Sequence, residues 1–279
     1  MTRRVVGVVV HEGDEKAAEV AKRVLEVLEE YVDEVVVYPN ISYTSKKVRT
    51  LKVRGEICGE FLIAVGGDGT ALRTFLAVGE RDIPVMVVGT GRRNFLSSVG
   101  ADLAEWGVRK VLSGDFFIKE LKRIKTSSAS SDYPPSLNEV YITSKRPGKS
   151  IWIDLFLSRE GEGKSLFSEK MDGLIVATPT GSSAYSLAAG GSVISNELEA
   201  MSITPVCPHR KVPPLVIPMD YEVEVKADPR DAVVVIDGNF SFEMPENGSI
   251  KITKAKSPAR LIAFKETWKD FMLKAVEAK

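Results

Sequence analysis

The chain has 279 residues, a formal net charge of zero and a hydrophobic fraction of 44%. This length suits one large or two modest domains, and the balanced charge favours neither a nucleic-acid partner nor a membrane surface. No apolar run is long enough to cross a bilayer, and the first residues have a strand pattern rather than that of a signal peptide. The two cysteines, Cys58 and Cys207, allow a disulfide, but we expect the buried, reduced thiols of a cytoplasmic protein.

Strand and helix patterns alternate in the first part of the chain. Strands are predicted from short apolar or β-branched runs, at 5–10, 34–38, 61–65 and 84–88. Helices are predicted between and after them, at 15–28, 71–78 and 102–112. This alternation is typical of a parallel sheet with helices on its faces. The polar and basic segment 43–55 is expected to be mobile and at the surface.

The pattern changes after about residue 115, where amphipathic helices give way to short strands. The predicted strands are 116–125, 139–143, 151–157, 174–177, 221–225, 233–236 and 250–253, with a serine- and proline-rich loop at 126–136. This part is predicted to be mostly antiparallel β. A strand at 261–264 and a helix at 266–278 follow. Because a terminal helix must bury its apolar face, we expect it to return to the first domain.

Two domains are therefore predicted. The first is a parallel α/β domain made of residues 1–115 and 258–279, and the second is a β-rich domain made of residues 116–257. The predicted fold class is α/β plus all-β.

The most informative stretch is Gly66-Gly67-Asp68-Gly69-Thr70, between a predicted strand and a predicted helix. Glycines let the backbone approach phosphate oxygens, and the N–H groups and dipole of a helix N-terminus attract an anion. A carboxylate among phosphates is repelled unless it binds a metal or takes a proton, so Asp68 favours phosphoryl transfer over simple phosphate binding. The alternative is that Asp68 only caps the helix or shapes the turn.

Other glycine-rich segments do not match the known nucleotide-binding fingerprints. The segments that begin at Gly67 and Gly89 lack the third glycine of the dinucleotide-binding motif, and two later Gly-Lys-Ser segments lack the first glycine of a P-loop. A Rossmann dehydrogenase and a P-loop kinase are therefore unsupported. Ligands of parallel sheets bind outside the carboxyl ends of the strands, where the Asp68 turn and the loop 89–96 are both predicted.

A second informative stretch is 172–185, where a strand leads into hydroxyl and glycine residues and then Tyr185. These groups suit a nucleoside, but an ordinary loop with Tyr185 packed in the core is an equal alternative. Asn138-Glu139 begins a strand after a loop and has the groups to recognise a base edge or ribose hydroxyls. In isolation, a turn residue and a solvated carboxylate are the simpler interpretation. Asp237-Gly238-Asn239 is predicted to be a hairpin turn.

Taken together, these motifs resemble those of the NAD kinases that use ATP or polyphosphate. The matching segments are Gly66-Gly67-Asp68-Gly69-Thr70, Asn138-Glu139, 172–191 and 204–209. The first motif alone is shared with diacylglycerol and sphingosine kinases and, loosely, with phosphofructokinases. The whole set, in this order and across nearly the whole chain, is much more specific.

The resemblance implies a Rossmann-like parallel α/β domain followed by a β-sandwich-like domain, with the substrate between them. It implies Mg²⁺-dependent phosphoryl transfer from ATP or polyphosphate to the 2′-hydroxyl of the adenosine ribose of NAD, giving NADP. It also implies a homo-oligomer, a dimer or tetramer, in which some site residues come from a neighbouring subunit.

The same resemblance implies roles for individual residues. Asp68 matches the base for the 2′-hydroxyl, and Asn138, Glu139 and Tyr185 match residues that hold the adenosine half. Lys170 and Asp172 match positions contributed by a neighbouring subunit. The residues implied to bind NAD are Asp68, Gly69, Arg73, Asn138, Glu139, Lys170, Asp172, Thr180, Ser183, Ala184, Tyr185, Ser186, Ala188 and Asn239. The residues implied to bind the phosphate donor are Gly66, Gly67, Gly69 and Thr70. No residue of the chain is implied as a dedicated metal ligand.

Three features depart from the family pattern. The loop 89–96 carries Arg92 and Arg93, which either favour a polyanionic donor or belong to a solvated loop. Ala188 stands where serine is usual, which loses one hydroxyl, and Asn239 stands where glutamine is common. Two alternatives remain open. A lipid kinase would need an apolar acceptor cleft, and a non-catalytic NAD(P)-binding regulatory module would have no need of Asp68.

Overall fold

A computed structural model describes residues 3–91, 94–269 and 271–277. The chain divides into two compact units, Met1–Leu121 with Ala259–Lys279, and Lys122–Pro258. Within the described ranges, no helix has both the length and the apolar character needed to cross a bilayer. Cys58 and Cys207 are free thiols, and Cys207 is exposed, so the expectation that both are buried is wrong.

The first unit is built on one sheet with helices packed against it. Its helices are α1 (Glu15–Tyr31), α2 (Asp68–Val78), α3 (Ala104–Leu112) and α5 (Phe271–Glu277). Its strands are β1 (Val5–Val10), β2 (Glu34–Tyr38), β3 (Val48–Thr50), β4 (Leu62–Gly66), β5 (Val85–Gly89), β6 (Val99–Gly100), β7 (Phe117–Leu121) and β19 (Ala259–Ala263). The apolar faces of α1 and α3 form one buried cluster with the sheet. The Asp14 carboxylate caps α1 by accepting from the Ala17 amide at 3.2 Å.

The sheet of the first unit has the order β3-β2-β1-β4-β5-β19-β7, with β6 paired to β5. Its described strand pairs are parallel, apart from β7 with β19. Gly66 at the end of β4 pairs with Gly89 at the end of β5. The predicted parallel α/β architecture is therefore confirmed, and the segments after these two strands leave the same edge of the sheet.

Several predicted elements of this unit differ in the structure. The segment 43–55 is not simply mobile, because it contains β3, which pairs with β2, and a short 3-10 turn at Arg54–Glu56. The predicted strand 116–125 is two strands, of which β7 pairs with β19 in the first unit and the other belongs to the second unit. The terminal helix covers only Phe271–Glu277. It lies in the first unit, as expected, but Met272, Leu273 and Val276 are exposed, so the expected burial of its apolar face is not seen.

The second unit consists of two antiparallel sheets. Its strands are β8 (Ile124–Ser127), β9 (Glu139–Ser144), β10 (Ile151–Arg159), β11 (Glu162–Met171), β12 (Gly173–Ala177), β13 (Ala200–Val206), β14 (Leu215–Pro218), β15 (Glu222–Lys226), β16 (Ala232–Ile236), β17 (Phe240–Glu243) and β18 (Ser249–Lys254), with a short helix α4 (Tyr185–Ala188). The sheet orders are β11-β10-β15-β18-β8 and β14-β13-β12-β9-β16-β17. Buried residues alternate along β10, at Ile151, Ile153 and Leu155, as expected for a sheet that covers a core on one face. The predicted antiparallel β architecture is confirmed.

Candidate active site

The glycine-rich turn connects β4 to α2 in the first unit. Because α2 begins at Asp68, the turn lies at a helix N-terminus. Gly66 has a φ of +157°, and a Cβ on it would lie 2.5 Å from the hydroxyl oxygen of Thr70, so a side chain does not fit there. A Cβ on Gly67 or Gly69 would meet no described atom within 4 Å. The space beside Gly66 is therefore filled by the protein, whereas the space beside Gly67 and Gly69 is open to a ligand.

Both oxygens of the Asp68 carboxylate accept hydrogen bonds from the loop that follows β5. The Phe95 amide donates to Oδ2 at 3.0 Å, and the Leu96 amide donates to Oδ1 at 2.9 Å. Nζ of Lys274 in α5 donates to the Phe95 carbonyl oxygen at 2.7 Å. The prediction that the Asp68 turn and the loop after β5 come together is confirmed. The predicted roles of Arg92 and Arg93 in that loop lie outside the described residues.

Burial raises the pKa of Asp68 above its ordinary value. The amides of Leu96 and Phe95 and the charge of Lys274 lower this pKa, but they only partly offset the burial. In turn, burial lowers the pKa of Lys274, and the charge of Asp68 opposes that shift. A carboxylate with a raised pKa accepts a proton more readily, as a general base must.

Arg73 lies in α2, and Arg54 of the 3-10 turn is near enough to affect its pKa. Arg73 is half-buried, and both its burial and the positive charge of Arg54 lower its pKa, while Glu12 opposes the shift. The Arg54 guanidinium carbon is 4.9 Å from the centre of the Tyr38 ring, and its buried Nε has no hydrogen-bond partner among the described residues. An anionic ligand would relieve the repulsion between the two cations. This corner of the first unit therefore favours phosphate oxygens.

In the second unit, the loop after β12 packs tightly on the segment before β9. The Thr178 amide donates to the Asn138 carbonyl oxygen at 2.9 Å, and the Thr178 hydroxyl donates to the Leu137 carbonyl oxygen at 2.5 Å. A Cβ on Gly181 would lie 2.0 Å from the same Asn138 oxygen, so only glycine permits this approach. Two motifs that are distant in the sequence are thus adjacent in the fold.

Tyr185 is not a core residue. Its side chain is 42% exposed, and its ring meets that of Tyr141 edge to face, with 5.2 Å between the ring centres. Burial is the main cause that raises the pKa of Tyr141 to about 12. The neighbouring Tyr185 and the negative charge of Asp172 raise it further. Tyr141 was missed by sequence reasoning, although it lies two residues after Glu139 and therefore on the same face of β9.

Glu139 is 7% exposed, and its Oε2 has no hydrogen-bond partner in the described part of the chain. Burial, followed by the negative charge of Asp237, raises the pKa of Glu139 to about 8. The interpretation of Glu139 as a solvated carboxylate is therefore wrong. Asp237 forms the predicted hairpin turn between β16 and β17, but its side chain is also buried beside Glu139, which the sequence did not indicate.

Three of the predicted hydroxyl groups have partners within the second unit. The buried Thr180 hydroxyl donates to Asn196 Oδ1 at 2.9 Å, and the Ser183 hydroxyl donates to the Thr180 carbonyl oxygen at 3.1 Å. The Ser186 hydroxyl is fully buried among two hydroxyls of β13. These side chains shape the loop, and backbone groups and exposed side chains are left to face a ligand.

The remaining predicted residues surround this loop or lie at strand ends. Ala184 precedes α4, and Ala188 ends it and is exposed. Lys170 lies at the end of β11, and Asp172 lies between β11 and β12. The side-chain Nδ2 of Asn239 donates to the Asp237 carbonyl oxygen at 2.6 Å. The described residues contain no cluster of three or more His, Cys, Asp or Glu side chains that would hold a metal ion.

A glycine-rich turn at the carboxyl ends of parallel strands, with a carboxyl group of raised pKa at a helix N-terminus, is an arrangement typical of a nucleotide-dependent phosphotransferase. The model of the ATP-NAD kinase N-terminal domain matches residues 6–116, and that of the ATP-NAD kinase C-terminal domain matches residues 137–264. The chain is 33% identical over 267 residues to the NAD kinase of Methanopyrus kandleri, covering 95% of this chain and 94% of that protein. It is 32% identical to the NAD kinase of Thermococcus sibiricus, covering 93% and 94% of the two chains. The chain belongs to the NAD kinase family.

Solved structures agree with this assignment. The NAD kinase from Archaeoglobus fulgidus in complex with ATP is similar with a TM-score of 0.77 and 26% identity, over 98% of both chains. Yeast NADH kinase complexed with NADH is similar with a TM-score of 0.84 over 99% of this chain and 87% of that one. At 22% identity, the second likeness shows the shared fold.

Proposed function

We propose that this chain transfers a phosphoryl group from ATP to the 2′-hydroxyl of the adenosine ribose of NAD, giving NADP. The observation that carries the proposal is Asp68, a half-buried carboxylate with a raised pKa in a turn that leaves space beside Gly67 and Gly69. Membership of the NAD kinase family supports NAD as the acceptor. The likeness to the Archaeoglobus fulgidus enzyme in complex with ATP supports ATP as the donor.

In this proposal Asp68 orients and deprotonates the acceptor hydroxyl. Each of its oxygens already accepts one backbone amide, and a carboxylate oxygen has a second lone pair available. The residues of the turn proposed to bind the donor phosphates are Gly66, Gly67, Gly69 and Thr70. Positioning and electrostatics then supply most of the rate, as is general for phosphoryl transfer.

We propose that residues of the second unit bind the adenosine half of NAD. The support is the packing of the loop after β12 on the segment that carries Asn138, together with the exposed ring of Tyr185. The full set proposed to contact NAD remains the one predicted from the family resemblance, namely Asp68, Gly69, Arg73, Asn138, Glu139, Lys170, Asp172, Thr180, Ser183, Ala184, Tyr185, Ser186, Ala188 and Asn239.

We propose that Mg²⁺ enters with the donor rather than occupying a site of its own. The described residues offer no cluster of three or more metal-binding side chains, and Mg²⁺ is often held by substrate phosphates, waters and one or two carboxylates. When bound, the ion offsets the charge that develops on the transferred group. The proposal that Mg²⁺ binds together with the donor phosphates is consistent with the open space beside Gly67 and Gly69, and with the nearby Arg73, whose positive charge attracts phosphate.

The decisive experiment is to incubate the purified chain with NAD, Mg²⁺ and one donor, and to measure NADP with an NADP-specific dehydrogenase. We expect NADP with ATP, and a parallel incubation with polyphosphate determines whether that donor is also used. Absence of NADP with both donors would contradict the proposal. A lipid kinase and a non-catalytic NAD(P)-binding module are not favoured, since both halves of the chain match NAD kinase family models.

Tyr185 provides a test of the nucleotide site. Replacing Tyr185 with alanine is expected to weaken NAD binding on the order of 10-fold, because stacking of a base on an aromatic ring contributes about 1–3 kcal/mol. The melting temperature should change little, since the ring is 42% exposed. Calorimetric titration with NAD and a thermal melt measure the two effects. Tyr31→Ala is the matched control, because Tyr31 is 49% exposed in the first unit and is not a proposed NAD contact. A large melting shift with unchanged NAD affinity would contradict the assignment.

We also propose that the chain is a cytoplasmic homo-oligomer whose sites are shared between subunits. The two free thiols suit a reducing compartment. If Asp172 serves the site of a neighbouring subunit, Asp68→Asn and Asp172→Ala chains should each be inactive alone and regain a fraction of the wild-type activity when refolded together. NADP formation after subunit exchange is the measurement. Mixed oligomers with no activity would show that the two residues serve one chain's site, or that Asp172 is structural.

A further inference from the structure

The Asp237 side chain lies directly beneath the segment that carries Asn138 and Glu139. Asp237 is 3% exposed, and its backbone φ is +48°. Oδ1 accepts the amide of Asn138 at 2.8 Å and the amide of Glu139 at 3.1 Å, and Oδ2 accepts the amide of Leu137 at 2.9 Å. The hydroxyl of Ser136 donates to the same carboxylate. One carboxylate thus receives three consecutive backbone amides and a hydroxyl.

The hydrogen bonds to the Asp237 carboxylate fix a segment that lies partly outside the strand pairing of β9. Leu137 and Asn138 precede β9, so their amides have no place in its ladder with β16. The Asp237 amide also donates to the Glu139 carbonyl oxygen at 3.0 Å, which ties the turn and the segment together in both directions. Burial raises the pKa of Asp237, and these four hydrogen bonds oppose that shift by stabilising the charged form. Hydrogen bonds to an ionised carboxylate are stronger than neutral ones, and burial increases their strength.

We propose that Asp237 is a positioning residue for the NAD site, which holds the backbone of residues 137–139 so that the Asn138 and Glu139 side chains are presented to the nucleotide. The proposal rests on the proposed function for the identity of the ligand. It assigns Asp237 no contact with NAD. The carboxylate acts through the three amides, and the tight packing of Thr178 and Gly181 on the other side of Asn138 completes the support.

The same carboxylate influences the protonation of Glu139. The strand partner of Glu139 on β12 is the uncharged Ala177, and the charge that acts on Glu139 is that of Asp237. Asp237 adds to the effect of burial in raising the pKa of Glu139 to about 8, so Glu139 is protonated at neutral pH. A protonated carboxyl group can donate a hydrogen bond to the ligand, which a carboxylate cannot.

The variant Asp237→Asn tests the proposal. One oxygen becomes an NH₂ group that cannot accept from a backbone amide, and the negative charge is lost. We expect the KM for NAD to rise roughly tenfold or more, the fold-change for losing one hydrogen bond to a charged group, with a much smaller change in kcat. Where the KM for NAD changes with pH because Glu139 ionises, that change should occur at a lower pH in the variant. The negative charge of Asp237, which raises the pKa of Glu139, is absent from it. An unchanged KM and pH profile would overturn the proposal.

Amide hydrogen exchange of residues 137–139, measured without NAD, provides a readout that does not depend on the proposed function. Exchange should be faster in Asp237→Asn and, to a smaller extent, in Ser136→Ala, which serves as the test if Asp237→Asn does not fold. The second variant removes one hydroxyl, which contacts both the Asp237 carboxylate and the Glu139 carbonyl oxygen. Asp228→Asn is the matched control, since that turn carboxylate pairs with the exposed Arg230 and should change neither exchange nor KM. Unchanged exchange in both test variants would overturn the positioning role. Faster exchange in a chain that forms no NADP would instead count against the proposed reaction.

Discussion

Replacing Asp68 with asparagine is expected to lower kcat for NADP formation by roughly 10²–10⁴-fold, the usual range for a positioned acid–base group. Asparagine keeps the size of the side chain and one of the two hydrogen bonds from Phe95 and Leu96, but it has no carboxylate to accept the proton. NAD affinity should change much less than kcat. Steady-state kinetics with saturating ATP, and NAD titration of the same preparation, measure the two effects.

Asp82→Asn is a suitable control for this variant. Asp82 is a carboxylate of the same unit that pairs with Arg260 at 2.9 Å and is largely exposed. Its replacement should leave kcat and the KM for NAD unchanged. Near-normal turnover by Asp68→Asn would show that Asp68 is not the base and that its role is to hold the loop after β5.

The second large effect is expected in stability rather than in rate. Glu139→Gln should raise the free energy of unfolding above pH 8 by about 3–5 kcal/mol, because the folded chain holds this carboxyl group at a pKa of about 8 against its ordinary value of 4.5. Between these two pH values the folded state retains a proton that the unfolded state has lost. The stability of the wild-type chain therefore falls as pH rises from about 4.5 through about 8, and this contribution disappears when residue 139 cannot ionise.

Denaturant unfolding of both chains at a series of pH values between about 5 and about 9 measures this slope. The wild-type and Glu139→Gln curves should converge at low pH, where the carboxyl group is protonated in both states. Glu162→Gln is the control, since Glu162 is an exposed residue of β11 and its replacement should leave the slope unchanged. Parallel curves for Glu139→Gln and the wild type at every pH would contradict a buried, proton-retaining Glu139.

These two carboxyl groups illustrate why the proposed site is costly to fold. Asp68 is half-buried and Glu139 is buried, and Glu139 has an oxygen without a partner among the described residues. A chain selected only for stability would place apolar residues there, because a buried polar group without a partner destabilises the fold. Perturbed carboxyl groups of this kind are a recurrent feature of functional sites, which supports a role in substrate binding and catalysis.

Much of the fold could be predicted from local patterns. The predicted strands 5–10 and 34–38 coincide with β1 and β2, because buried parallel strands are short apolar runs bounded by polar residues. The predicted helix 15–28 is α1 with one further turn. The order of the motifs along the chain likewise identified Asp68, Asn138 and Glu139 as candidate site residues.

Two of the strands that were missed, β11 and β3, have polar sequences. β11 is largely exposed and has no apolar alternation, and it exists because its backbone pairs with β10 over the full length of a hairpin. β3 is similarly exposed and pairs with β2. Backbone hydrogen bonds between strands depend on the partner strand and not on the side chains of the segment itself, so periodicity does not report them.

The sequence by itself therefore determined the fold class, the family motifs and the candidate base. Only the tertiary structure decided what surrounds those residues. It placed the Phe95 and Leu96 amides on Asp68, the charge of Arg54 near Arg73, and the Asp237 carboxylate beneath Glu139. The physical reason is that a pKa or a hydrogen bond depends on distance and burial, and the groups concerned are brought together from segments as far apart in the chain as residues 139 and 237.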